Sequence, residues 1–330
     1  MKLCIGVLAV LIVLASVSCS PSRSQSIEPR PINLQLSVKV PFEFVAYGDT
    51  RFTDPQNTKA SNPVARQALV QAIATVHPAF ITIAGDIAYH GDEVNDWRVW
   101  DSETAAWRQF DIPVFPALGN HDLHGDHELA LANYFARFPR IMHSRYYAVR
   151  AANSIVLVLD SSLDELSGSQ GDWLKQQLGT IPADVDFLFL VLHHPPYTSS
   201  SDRKKYGGGH SARPQEQVLA QMLEQRQRDM HARIVVFAGH VHNYERHEHG
   251  GVLYFVSGGG GAHAYPIERG ANDPFRDNNI NYHYLLVKVD REKLNITMDR
   301  LDLSRDKPVY SVKDTVTTAV RTAVPAEAAR

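Results

Sequence analysis

The sequence predicts an α/β fold whose functional site lies at the carboxyl ends of its strands. Three observations predict it. Short apolar, β-branched runs alternate with stretches of helical spacing, the pattern of parallel βαβ units. Several of these runs end at a glycine followed by Asp, Asn or His, residue types that bind metals or move protons. Of the 330 residues, 44% are apolar, enough for a substantial core. In open α/β sheets the ligand site forms beyond the carboxyl ends of the strands, so residues far apart in the chain are expected to converge there.

Residues 1–19 read as a secretory signal and not as part of the fold. Lys2 supplies the positive start, Leu3 to Val17 is nearly all apolar, and Ala15, Ser16 and Ser18 are small. The run is short for a membrane span. Cys19 resembles the lipid-attachment cysteine of a bacterial lipoprotein, although Ser16 stands where leucine is usual. Lipid anchoring and simple cleavage both remain open, and either places the protein in the cell envelope or outside the cell. Cys4 and Cys19 are the only cysteines, so the mature domain has no disulfide and no thiol nucleophile or ligand. Residues 20–40 are polar and proline-containing and are expected to form a flexible tether. A net charge of −3 gives no field that favours nucleic acid or anionic membranes.

The domain is expected over residues 41–304. Phe42 to Tyr47 alternates as a strand and ends at Gly48-Asp49-Thr50-Arg51. Asn62 to Val76 carries Val64, Leu69 and Ile73 at helical spacing. Phe80 to Ala84 is a second strand, running into Gly85-Asp86-Ile87-Ala88-Tyr89. Trp97, Trp100 and Trp107 fall on one helical face, which marks them as core. Ile112 to Leu118 is a strand ending at Gly119-Asn120-His121-Asp122. Ser154 to Asp160 is a strand expected to pair with Tyr146 to Val149. A helix at Gln170 to Leu178 and a buried strand at Asp186 to Leu192 follow, and the strand enters His193-His194-Pro195-Pro196-Tyr197. Ser199 to Gly209, with His210 at its end, reads as a mobile rim over a pocket. Pro214 to Arg228 is a helix. Ile234 to Ala238 is a strand that stops at Gly239-His240-Val241-His242. Val252 to Val256 and Tyr284 to Val289 are strands, and Gly258 to Gly261 suits close backbone approach. Leu294 to Leu303 forms a last strand. Residues 305–330 are expected to be a partly disordered tail.

Taken together, Gly48-Asp49, Gly85-Asp86, Gly119-Asn120-His121-Asp122, His193-His194-Pro195 and Gly239-His240-Val241-His242 resemble the motifs of calcineurin-like metallophosphoesterases, in that family's order, over residues 42–260. Tyr89, three after Asp86, and the run Gly-His-Val-His-Asn-Tyr-Glu-Arg are similar to the purple acid phosphatase branch. The resemblance implies a four-layer α-β-β-α sandwich of two mixed sheets. It also implies two metal ions. One takes Asp49, Tyr89 and His242, the other takes Asn120, His193 and His240, and Asp86 bridges them. Hard phenolate and carboxylate oxygens suit Fe3+; imidazoles with an amide oxygen suit Zn2+, Fe2+ or Mn2+.

The family's first motif usually has a histidine two after the aspartate, and the purple acid phosphatases usually have a glycine there. Here the position is Arg51, which cannot ligate a cation and leaves Tyr89 as the replacement; it could instead bind substrate phosphate. His193 is favoured over His194 as ligand because His193, Pro195 and Tyr197 match the family's His-x-Pro-x-Tyr. His121 would stabilise the phosphoryl group or protonate the leaving oxygen. His210 is either a substrate contact or a solvated loop residue. Asp122 is read as an acceptor that orients a histidine or the loop. His124, His127, His247 and His249 are read as surface residues.

The function implied is hydrolysis of phosphate monoesters by a metal-bound hydroxide. Alternatives are a phosphodiesterase, acting for example on cyclic nucleotides, with the same centre, and a non-catalytic envelope binding protein. All seven ligand positions are filled, which argues against the last. A serine or cysteine hydrolase is disfavoured by the absence of a thiol and of a Gly-x-Ser-x-Gly elbow.

Overall fold

Strict alternation on both faces of the central strands sets the architecture. The structure, a computed structural model, describes residues 30–163, 166, 168–201 and 210–321. The expected signal, residues 20–29 of the expected tether, 202–209 of the expected rim and 322–330 of the expected tail lie outside the described residues. In chain order the elements are β1 (Ile32–Leu36), β2 (Phe42–Tyr47), α1 (Pro63–Val76), β3 (Ile81–Ile83), α2 (Val94–Glu103), α3 (Ala105–Gln109), β4 (Val114–Pro116), α4 (His127–Arg137), β5 (Tyr147–Ala151), β6 (Ser154–Val158), α5 (Gly168–Gly179), β7 (Phe187–Val191), α6 (Pro214–Asp229), β8 (Arg233–Ala238), β9 (Tyr244–His249), β10 (Val252–Ser257), β11 (His283–Val289), β12 (Lys293–Asp302) and β13 (Val309–Ala319).

A seven-stranded mixed sheet runs β1-β5-β6-β7-β8-β10-β9, and a six-stranded mixed sheet runs β13-β12-β11-β2-β3-β4. Phe187, Phe189 and Val191 face the second sheet, while Leu188 and Leu190 face Leu174, Leu178, Leu219 and Leu223 of α5 and α6. Between the sheets Phe44 meets Phe189 edge-on at 4.9 Å and stacks on Phe80 at 4.5 Å. The opposite face of β2 presents Tyr47 to Trp107 at 6.3 Å, beneath the helices α1 to α3. The result is the expected four-layer α-β-β-α sandwich of two mixed sheets. The tryptophan stretch is two helices and not one. Trp97, Trp100 and Trp107 are all buried, as their spacing predicts. No helix among the described residues is long and apolar enough to cross a membrane.

Two expectations are corrected at the ends of the domain. The expected tether of residues 20–40 contains β1, which pairs in parallel with β5 from Ile32↔Tyr147 to Leu36↔Ala151. Its alternation places Ile32, Leu34 and Leu36 on the core. The expected tail contains β13, paired with β12 from Val309↔Asp302 to Ala319↔Lys293. Its Asp314 accepts from the Tyr244 hydroxyl at 2.8 Å and from Arg246 at 2.7 Å, which ties β13 to β9 of the other sheet. Strand β9 itself carries the end of the last motif.

One buried histidine makes acid stability testable. His283 on β11 donates from Nδ1 to the Asn281 carbonyl at 2.8 Å, and its Nε2 accepts from the Ser257 hydroxyl at 3.0 Å. Burial lowers its pKa from 6.5 to about 4. The native state therefore holds it neutral, and its contribution to stability, complete above pH 6.5, is lost as pH falls through about 4. His283→Gln is expected to flatten the fall in melting temperature over this range. An unchanged slope would contradict the assignment.

Candidate metal centre

Each candidate ligand stands just beyond a strand: Asp49 after β2, Asp86 after β3, Asn120 after β4, His193 after β7 and His240 after β8. The loops lock to one another through backbone bonds, Asp49 N–H to Gly85 O at 3.0 Å and Gly239 N–H to His193 O at 2.9 Å. Asp49, Arg51, Asp86 and His240 all adopt positive φ, between 45° and 69°. Such left-handed non-glycine residues cost energy and cluster at functional sites. Glycines permit the close approach. A Cβ on Gly239 would stand 2.4 Å from Asp49 Oδ2, and one on Gly258 only 2.1 Å from the Val241 carbonyl.

The site gathers acceptors that face one another. His193 Nδ1 lies 2.8 Å from the Ala84 carbonyl. A carbonyl only accepts, so Nδ1 carries the proton and Nε2 turns its lone pair inward. There it meets Asn120 Oδ1 at 3.0 Å, His240 Nδ1 at 3.1 Å and Asp86 Oδ1 at 3.4 Å. His242 repeats the arrangement. Its Nδ1 donates to the His263 carbonyl at 2.9 Å, and its buried Nε2 has no hydrogen-bond partner yet sits 3.6 Å from Asp49 Oδ1. Burial keeps His193, His240 and His242 below the ordinary histidine range, and hence neutral. Burial and the neighbouring Asp86 raise the Asp49 carboxyl. At Asp86 burial also opposes the charge, but the Arg51 guanidinium and the His121 backbone N–H offset it and hold the carboxyl well below its usual range. Lone pairs and carboxylates packed this closely repel unless cations lie among them. The donor set therefore fits metal ions. Ligand atoms of Asp49, Asp86 and His193 lie within 4.8 Å of one another, as do those of His193, His194 and His240.

His193 and His194 differ in their partners, although both lie near His240. His193 faces Asp86 and Asn120, whereas His194 turns Nδ1 to the Ser161 hydroxyl at 2.9 Å. His121 donates its backbone N–H to Asp86 Oδ1 at 2.9 Å and its Nδ1 lies 2.7 Å from the Tyr89 carbonyl. Tyr89 stacks on the His121 ring at 5.2 Å. His210 reaches the site, with its ring 4.1 Å from that of His240. Asp122 orients loops as expected: it accepts from the N–H groups of Ile87, Ala88 and Gly119 at 2.8–3.1 Å.

Two histidines read as surface residues are more enclosed than expected, His124 half-buried and His247 buried. His124 packs its ring 4.1 Å from His121, and His247 is buried beside Glu245 at 3.3 Å. Each also meets a ring distant in the chain, His90 at 5.6 Å for His124 and Tyr197 at 6.3 Å for His247. Two contributors, Tyr265 and Arg66, had no motif to announce them, and a third, Glu245, stood in the last motif with no role assigned. Tyr265 accepts the His242 N–H on its hydroxyl at 3.3 Å. Buried Glu245 accepts from Thr198 Oγ1 and Ser199 N–H, both at 2.6 Å, and anchors the start of the rim. Arg66 donates to the carbonyls of Arg51 and Thr53 at 3.1 and 3.3 Å and so holds the Asp49 loop.

Carboxylates, an amide and inward-facing neutral imidazoles at the strand ends of a four-layer sandwich define the centre of a metallophosphoesterase. A sequence model of the family described as Calcineurin-like phosphoesterase matches residues 44–244, and the chain belongs to that family. Among curated proteins it is 29% identical over 225 residues to purple acid phosphatase 21 of Arabidopsis thaliana, covering 63% of this chain and 45% of that one. It is 26% identical over 247 residues to purple acid phosphatase 5 of the same plant, covering 73% and 51%. The chain thus spans about half the length of the curated relatives it matches. Its fold is that of the purple acid phosphatase PPD1 from yellow lupin (Lupinus luteus) seeds, with a TM-score of 0.67 at 16% identity over 84% of this chain and 53% of that one. The likeness to the purple acid phosphatase branch read from Tyr89 and the last motif agrees with these relatives.

Proposed function

We propose that the chain is a binuclear-metal phosphoesterase acting on phosphate monoesters, in the manner of the purple acid phosphatases it resembles. The observation that carries this reading is the unsatisfied Nε2 of His242 facing Asp49, opposite the matching cluster of His193, His240, Asn120 and Asp86. Asp49, Tyr89 and His242 would hold one cation, Asn120, His193 and His240 the other, and Asp86 both. Bound cations would polarise the phosphoryl oxygens and lower the pKa of water. Fe3+ beside Zn2+, Fe2+ or Mn2+ suits the two donor sets.

His121 has its Nδ1 engaged by the Tyr89 carbonyl, so Nε2 is the atom it presents to substrate. Burial lowers its pKa to about 4. A phosphate dianion beside it would favour the protonated ring, which can then serve the leaving oxygen. His210 would contact the substrate from the rim. The partner is a small phosphate ester, and no nucleic acid is expected. The apolar start of the chain supports an envelope or secreted location, with a lipid on Cys19 as one form of it.

The test is hydrolysis of a chromogenic aryl phosphate and of its diester by protein loaded with two equivalents of metal. Preference for the monoester is expected, together with a visible absorption band that Tyr89→Phe removes. Preference for the diester would make it a phosphodiesterase. Hydrolysis of neither would overturn the reading. A colourless loaded protein would remove only the tyrosinate–ferric assignment.

A further inference from the structure

We propose that Arg51 is an internal cation that competes with a metal ion for Asp86, so that the two halves of the cage bind metal unequally. The proposal rests on the two-metal reading above and deepens it. The Asp86 carboxylate is divided between two kinds of partner. Its Oδ1 receives the His121 N–H and faces His193 Nε2. Its Oδ2 receives the Arg51 guanidinium, at 3.1 Å from one terminal nitrogen and 3.4 Å from Nε. The Asn120–His193–His240 half therefore meets an oxygen bonded to a neutral N–H and not to a charged side chain. With Oδ1 so placed, Oδ2 is the oxygen left for an ion in the Asp49–His242 half, and there it would meet the guanidinium.

That guanidinium is a permanent charge, because arginine does not lose its proton in proteins. Its origin is also fixed. The Arg51 N–H donates to the Asp86 carbonyl at 3.0 Å, and the Arg51 carbonyl accepts from buried Arg66 at 3.1 Å. The backbone between those bonds is left-handed, with φ at 45°. The side chain leaves this clamp directly toward Asp86 and is only 13% exposed. Without metal it supplies the countercharge that two adjacent buried carboxylates, Asp49 and Asp86, otherwise lack. An ion entering between Asp49 and His242 has to displace it from Oδ2, and the freed guanidinium then stands beside the site with its charge available for phosphate.

Calorimetric titration of the chelator-stripped protein with Zn2+ tests this. The wild-type protein is expected to show one tight ion and a second bound at least about tenfold more weakly. Arg51→Gln is expected to tighten the second ion by at least about tenfold and to lower the melting temperature of the metal-free protein. Arg51→Lys, which keeps the charge, is expected to restore the separation. If Arg51→Gln does not fold, Arg51→Gly, which also relieves the left-handed backbone, provides the same comparison. Two ions of equal affinity in the wild type, or a second affinity unchanged by loss of the charge, would overturn the proposal and leave the two-metal reading intact. A single ion or none in every variant would overturn that reading, and the proposal with it.

Discussion

Asp86→Asn is expected to lower phosphomonoester hydrolysis by at least about a thousandfold, equivalent to about 4 kcal/mol of barrier, with the fold retained. The carboxylate is wholly buried and sits between the two halves of the cage. It holds the His121 backbone, faces His193 and pairs with Arg51. Asparagine preserves the shape and an acceptor for the His121 N–H. It removes the one negative charge that both cations would share. Rate measurements at saturating metal, with circular dichroism on the same samples, check this. Activity within about tenfold of the wild type in a folded protein would show that Asp86 is not the shared ligand.

Arg66→Ala is expected to cost about 3–5 kcal/mol of unfolding free energy, the range for breaking a buried ion pair from one side. Arg66 is fully buried on α1 and grips Glu103 with two bonds, at 2.7 and 2.8 Å. It also bonds Ser61 Oγ at 2.8 Å, lies over the Phe52 ring at 5.0 Å and holds the carbonyls of Arg51 and Thr53. Truncation would strand Glu103 and release the loop that carries Asp49. Urea unfolding measures the first effect, and a weaker affinity of the Asp49 half for Zn2+ measures the second. A loss below about 1 kcal/mol would place Arg66 among the surface pairs of little energetic consequence.

Much of the site was legible because its residues recur in one local setting, a buried strand followed by a glycine and a metal-capable residue. Asp49, Asp86, Asn120 and His240 announce themselves this way. His193 could be preferred to His194 only by resemblance; the structure adds that His193 Nε2 meets Asn120 while His194 Nδ1 is engaged by the Ser161 hydroxyl. Strands β1 and β13 were missed because their faces are only partly apolar. Edge strands read as polar segments until a partner's free edge is known. His247 and His124 carried no periodic signal, since the fold brings Tyr197 and His90 beside them from 50 and 34 positions away.

What the sequence determined by itself was therefore the alternating α/β architecture, the helical and strand segments of the core, and the set of ligand-capable side chains. These follow from periodicity and from residue chemistry, both of which are local. Only the tertiary structure decided which lone pairs face one another, that Arg51 occupies one oxygen of Asp86, and that Arg66 clamps the loop above it. Those outcomes depend on distances between residues tens of positions apart, and such distances arise only when both sheets close on a common core.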